Sequence, residues 1–216
     1  MTSPCAALQE RIIAFLAEIG LDVHRVDGVA GDSFALGVSI HNGTLLVAPE
    51  AQPSCVLHEA GHLAVTPACF RPLLDGNLYR SFRSIEREMV RLNLEPEHPL
   101  VTAVINSSDP EATAWAWAAG VHLGLNPELI IQDVDYDGEG ADVRLGLQHN
   151  AYCGIHGLAH GGMCLLPRRP GGFPTLKYWL QPAVAYVDAA TFSPTDWCST
   201  AVEPLRDLSH ELLLPA

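Results

Sequence analysis

The residues best suited to chemistry are His58, Glu59 and His62, in the run Val56-Leu57-His58-Glu59-Ala60-Gly61-His62-Leu63. Positions i and i+4 share one helical face, so a helix here would aim two imidazoles at a common point. Glu59, turned away from that line, could reach a water held at the same point. Two neutral imidazoles and one carboxylate suit zinc, with a fourth position left open for the water to be activated. Apolar flanks and the small Ala60 and Gly61 between the histidines favour a metal site over two unrelated surface residues.

The pattern resembles the zincin metallopeptidases, whose subclasses differ in the third ligand. Metzincins carry Gly three and His six residues after the second His; Val65 and Ala68 stand there instead. The cysteine-bearing motif of peptide deformylases is also missing upstream. The gluzincin pattern takes a carboxylate from a later helix, for which Glu86, Glu88, Glu95, Glu97, Asp109 and Glu111 are available. The run Glu111-Ala112-Thr113-Ala114-Trp115-Ala116-Trp117-Ala118 is similar to the Glu-Ala-x-x-Phe-Ala pattern of ImmA/IrrE-type small gluzincins. That resemblance implies Glu111 as third ligand, with Glu86 and Asp109 as alternatives. It rests on two short stretches, and the spacing between them is longer than that family's.

Three other constellations compete for function. His149, Tyr152, His156 and His160 crowd a glycine-rich segment; His156 and His160 could line a cleft and stabilise an oxyanion, or the segment is a structural turn. Asp133-x-Asp135-x-Asp137-Gly138 copies the first half of a calcium loop, but Arg144 stands where the bidentate Glu belongs, so a solvated acidic loop is expected. Arg80, Arg83, Arg87 and Arg91 form a basic stripe that reads as the solvent face of an amphipathic helix.

The elements that must position these groups follow from periodicity. Leu8, Ile12, Phe15, Leu16 and Ile19 predict an opening helix over 5–19, closed by Gly20. Short apolar runs at Val23 to Val26, Phe34 to Ile40 and Thr44 to Ala48, the last two flanking His41-Asn42-Gly43, predict strands and a hairpin. Pro53 and Ser54 open the helix carrying the histidines, and Pro67 stops it. Leu78, Phe82, Ile85, Met89 and Leu92 predict a helix over 77–93, closed off by Pro96 and Pro99. The cap-rich Asn106 to Pro110 opens a buried helix over Glu111 to Gly120. An acidic loop, Asp133 to Asp142, follows, and the proline-rich tail (Pro167, Pro170, Pro174, Pro182, Pro194, Pro204, Pro215) predicts loops wrapped on the core.

Composition bounds the answer. The 216 residues are 48% hydrophobic and 17% charged, enough for one domain with a real core over 1–216. With 12 Lys and Arg against 25 Asp and Glu, the net charge of −13 repels phosphate backbones, so no nucleic-acid partner is expected. No apolar run approaches the roughly 18 residues of a membrane span, and neither an anchor nor a secretory signal is expected. Six scattered cysteines without a CxxC pair suggest reduced thiols in the cytoplasm.

The expected molecule is therefore a single α+β domain of the minimal zincin kind, with a small sheet packed on the metal-binding helix. The expected activity is zinc-dependent hydrolysis of peptides or proteins, with Glu59 as general base. A catalytically silent metal-binding or interaction protein, or a protease with one dedicated protein substrate, are the alternatives.

Overall fold

The computed structural model describes residues 4–29 and 36–183. Helix α1 (Pro4–Glu18) buries Ile12, Phe15 and Leu16, and the chain reverses at Gly20, whose φ of +92° suits a residue without Cβ. Strand β1 (Val23–Arg25) follows, then β2 (Val38–His41) and β3 (Thr44–Val47). Asn42 and Gly43 both have positive φ (48° and 81°), as a tight hairpin turn requires, and set Val38 opposite Val47 and Ile40 opposite Leu45. These four side chains are buried on one face. β1 pairs in parallel with the other edge of β3, giving the order β1-β3-β2. The expected strand from Phe34 begins only at Val38; Phe34 and Ala35 lie outside the described residues.

Helix α2 (Pro53–Val65) runs as its proline boundaries predict and packs against this sheet and α1. Its C-terminal end is closed by side chains. Thr66 Oγ1 donates to the His62 carbonyl at 2.7 Å, and Arg71 Nε donates to the carbonyls of Leu63 and Thr66. These satisfy acceptors that the end of a helix leaves open. Helix α3 (Leu78–Leu92) has Asn77 as N-cap, accepting from the Arg80 amide, and ends at Asn93 in the left-handed region. It buries Ile85 and exposes all four arginines; Arg91 pairs with Glu88 and Arg83 stacks on Tyr79, as a solvated face would.

Pro99, expected to close a helix, opens one: α4 (Pro99–Ile105) is capped by the His98 side chain. The missing amide of proline costs nothing at a first turn. Helix α5 (Asp109–His122) is apolar on every side and buried from Glu111 to Gly120, so it forms the centre of the molecule. Its main partner is α2. The region expected to be one acidic loop is partly helical, with α6 (Pro127–Ile130) before it, a 3-10 turn at Tyr136–Gly138 within it and α7 (Gly140–Gln148) taking over its end. Helix α8 (Cys153–His160) then lies against α5.

Residues 161–183 form turns, as expected of the proline-rich tail, and tie back to the core. Gln181 donates its amide to the Ala64 carbonyl, and Trp115 Nε1 donates to the Trp179 carbonyl at 2.8 Å. Trp179 packs edge-on against Phe15 and Trp115. The expectations attached to Pro194, Pro204 and Pro215 fall outside the described residues. The fold is thus α+β, a small three-stranded sheet beside eight α-helices among the described residues, sharing one hydrophobic core. Each fully buried Leu or Ile in it contributes on the order of 1.5–3 kcal/mol.

Candidate metal centre

The centre depends on how closely two helices approach. A Cβ on Gly61 would stand 2.4 Å from the Ala112 carbonyl oxygen, so only glycine lets α2 and α5 touch backbone to backbone. A second contact seats the start of α5 from the other side. A Cβ on Gly154 would lie 1.9 Å from the Pro110 carbonyl, and one on Gly157 would overlap the Glu111 carboxylate. The first turn of α5 is therefore wedged between α2 and α8, and Asp109 projects from it toward the histidines.

Three donor atoms converge there. His58 Nε2 and His62 Nε2 are 3.2 Å apart, and Asp109 Oδ1 lies 3.2 Å from the first and 3.4 Å from the second. Tetrahedral zinc with bonds of about 2.0–2.1 Å separates its ligand atoms by about 3.3–3.4 Å. The donor set and spacing therefore fit a zinc ion. Among the described residues, this is the only group of three or more His, Cys, Asp or Glu side chains that could share a metal. The His62 side chain is 2% exposed and that of Asp109 62%, so the group is buried behind and open on the aspartate side.

The electrostatics agree. Hydrogen bonds to His58 and then His62 hold the Asp109 carboxyl far below the usual carboxylate range, against the opposing effect of burial. For His58, burial alone would lower the pKa, but the neighbouring Asp109, together with Glu59 and Asp135, outweighs it and the net shift is upward. A carboxylate this close to two imidazoles favours a positive charge among them, whether a proton or a metal.

Beside this group lies a cavity of about 290 Å³. His58 and Glu59 line one side of it. An apolar wall comes from Ile130, Ile131 and Val134, and Asp135 and Tyr136 also line the cavity. The loop carrying this wall is fixed from below: Gln132 Nε2 donates to Ser54 Oγ, the Gln132 amide donates to Asp135, and Arg144 donates to the Ile131 carbonyl. Tyr136 and Asp137 adopt φ of 57° and 58°, a left-handed conformation costing roughly 1–2 kcal/mol per residue. It brings the Tyr136 hydroxyl to 3.2 Å from His58 Nδ1 and 2.8 Å from Thr113 Oγ1. Burial raises the pKa of this phenol well above the ordinary range, and that of Tyr152 to about 12, so both stay protonated near neutrality.

The structure redistributes several expected roles. Glu111 does not face the histidines: its carboxylate accepts from the Ser108 amide at 3.0 Å and from Ser108 Oγ at 2.5 Å, closing a capping box at the start of α5. The alternative Asp109 occupies the place expected of it. Ser108-x-x-Glu111 is itself the capping-box signature, a signal in the sequence that Glu111 was already engaged. Glu86 is exposed on α3. His156 and His160 are exposed on α8, and neither they nor His149 line the cavity. The oxyanion role expected of them has no geometric basis, and it is Tyr136, which no sequence pattern marks, that stands beside His58. In the calcium-like stretch, Asp133 pairs with Arg144 and Asp135 accepts from the Gln132 amide, so the carboxylates diverge.

Comparison of the chain with protein-family models, curated proteins and solved structures returns no match.

Proposed function

We propose that the chain is a zinc-dependent metallopeptidase of the zincin kind, with Asp109 in the place the gluzincin resemblance reserves for glutamate. The observation that carries this reading is the convergence of His58 Nε2, His62 Nε2 and Asp109 Oδ1 at ligand spacing, beside a cavity lined by Glu59. When bound, zinc supplies Lewis acidity, polarising a carbonyl and making an attacking water acidic. Everything else falls to the chain's own groups. Glu59 takes the proton of the attacking water as the new C–O bond forms, then passes it to the amide nitrogen as the C–N bond breaks. The apolar side chains of Ile130, Ile131 and Val134 seat an uncharged portion of the peptide.

A scaffold that only binds metal has no need of a carboxylate at Glu59, which favours an enzyme over a silent metal-binding protein. None of the helices among the described residues is long and apolar enough to cross a membrane. The thiols of Cys55, Cys69, Cys153 and Cys164 are unpaired, in keeping with a reducing, cytoplasmic setting.

Metal content by plasma mass spectrometry, on protein purified without added metal, tests the reading. About one zinc per chain in the wild type, lost in His62→Ala, supports it. Absence of zinc from the wild type even after zinc is offered would overturn it.

A further inference from the structure

We infer that Tyr136 and Thr113 are positioning residues for the metal centre, forming a hydroxyl chain of fixed polarity from His58 to the backbone of Asp109. The inference rests on the metal-binding reading above and assigns two residues that the ligand set does not include.

The chain runs from His58 Nδ1 to the Tyr136 hydroxyl (3.2 Å), from there to Thr113 Oγ1 (2.8 Å), and on to the Asp109 carbonyl oxygen (3.0 Å). His58 Nε2 faces His62 Nε2 and Asp109 Oδ1, so on binding a cation it must present a lone pair. A neutral imidazole with a bare Nε2 carries its hydrogen on Nδ1. From that point each direction follows. Nδ1–H donates to the Tyr136 oxygen, the phenol donates to Thr113, and the threonine hydroxyl donates to the Asp109 carbonyl, which can only accept. Tyr136 donates once and accepts once; Thr113 Oγ1 donates once, and its oxygen, which can accept twice, also bonds the Tyr152 side chain. The direct separation of Thr113 Oγ1 from His58 Nδ1 is 3.5 Å, too long to replace the tyrosine.

Two further observations show that the arrangement is built. Thr113 is fully buried in α5, and Tyr136 is held in place by a left-handed backbone that a tyrosine would not adopt on its own account. His62 offers the contrast, since its Nδ1 is buried with no hydrogen-bond partner. Only one of the two imidazoles is oriented from behind, and that one lines the cavity. Partners of this kind fix the tautomer and ring orientation of a metal-ligating histidine.

The test is zinc affinity of the full chain, measured with zinc alone by competition against a chromogenic chelator, for wild type, Tyr136→Phe, Thr113→Val and Thr113→Ser. Valine matches threonine in shape, so Thr113→Val removes the hydroxyl without opening a cavity. Tyr136→Phe and Thr113→Val are each expected to weaken zinc binding about ten- to a hundredfold. Thr113→Ser, which keeps the hydroxyl, should stay close to wild type, and the double variant Tyr136→Phe/Thr113→Val should be no worse than the weaker single one. Wild-type affinity in both hydroxyl-deleted variants would overturn the inference and leave the metal centre standing. A wild type that binds no zinc would overturn both.

Discussion

Asp109 and Glu111, two residues apart in the first turn of α5, send their carboxylates in opposite directions: Asp109 crosses to His58 and His62, and Glu111 folds back onto Ser108. One completes a group of three donors at metal-ligand spacing while the other secures the helix that carries it.

That divergence separates two variants by readout. Asp109→Ala should abolish stoichiometric zinc binding with little change in the stability of the metal-free protein. Glu111→Ala should keep the three donors and destabilise the fold by about 1–2 kcal/mol through loss of the capping box, a drop in Tm of roughly 2–8 °C. Zinc titration and thermal unfolding of both variants check this; zinc loss in Glu111→Ala alone would show the ligand assignment to be wrong.

Glu59→Gln should retain zinc at wild-type occupancy and lose peptide hydrolysis by about 10²–10⁴-fold, the usual contribution of a general base. Full turnover in this variant would remove Glu59 from the mechanism. His156→Ala and His160→Ala, on the exposed face of α8, should match wild type in both assays.

Gly61→Ala tests the helix contact itself. The added methyl would meet the Ala112 carbonyl at 2.4 Å, forcing α2 and α5 apart at a cost of about 1–3 kcal/mol. Because Asp109 reaches the histidines only through that contact, zinc affinity should fall along with stability, although no ligand has been altered.

Thiol reactivity, read residue by residue by mass spectrometry, should map burial and the cavity. Cys153 is exposed and should alkylate first, while burial pushes the Cys69 and Cys164 thiols up to about 11 and should protect them. Cys55 lines the cavity, so a peptide-like inhibitor bound there should slow its modification. The two raised thiols also fix a sign for alkaline stability. The fold favours their neutral form, an advantage fully present below the ordinary thiol value of 9.0 and lost as pH rises toward about 11. Stability should therefore decline across that window, and less so in a Cys69→Ala/Cys164→Ala variant once its own baseline is subtracted.

Legibility in the sequence followed the range of the interactions. The helix holding His58, Glu59 and His62 is specified by residues within it and by two prolines at its ends, and the hairpin by Asn42-Gly43, so both appeared where expected. The choice between Asp109 and Glu111 depends on the rotation of α5 about its axis, set by the burial of Ala112 and Trp115 and by the glycine contacts on either side. Those contacts are made between residues some fifty apart in the chain, beyond what periodicity can report; only the Ser108 cap was a local clue. Tyr136 was invisible for a different reason. Its position comes from a left-handed turn in an acidic stretch whose composition suggested a cation loop, and whose actual path is set by Gln132 and Arg144.

The cavity is bounded by two kinds of structure with different tolerance for change. The donors stand on helices locked backbone to backbone, where Gly61 permits no added atom. The apolar wall is mixed: Ile130 and Ile131 belong to the core, whereas Val134, on the loop that follows, is 76% exposed and contributes nothing to it. Exchange of that side chain can therefore remodel what the pocket admits while the donor geometry stays as it is, so that selectivity could diversify among descendants of this chain, or be redesigned in the laboratory, independently of the chemistry.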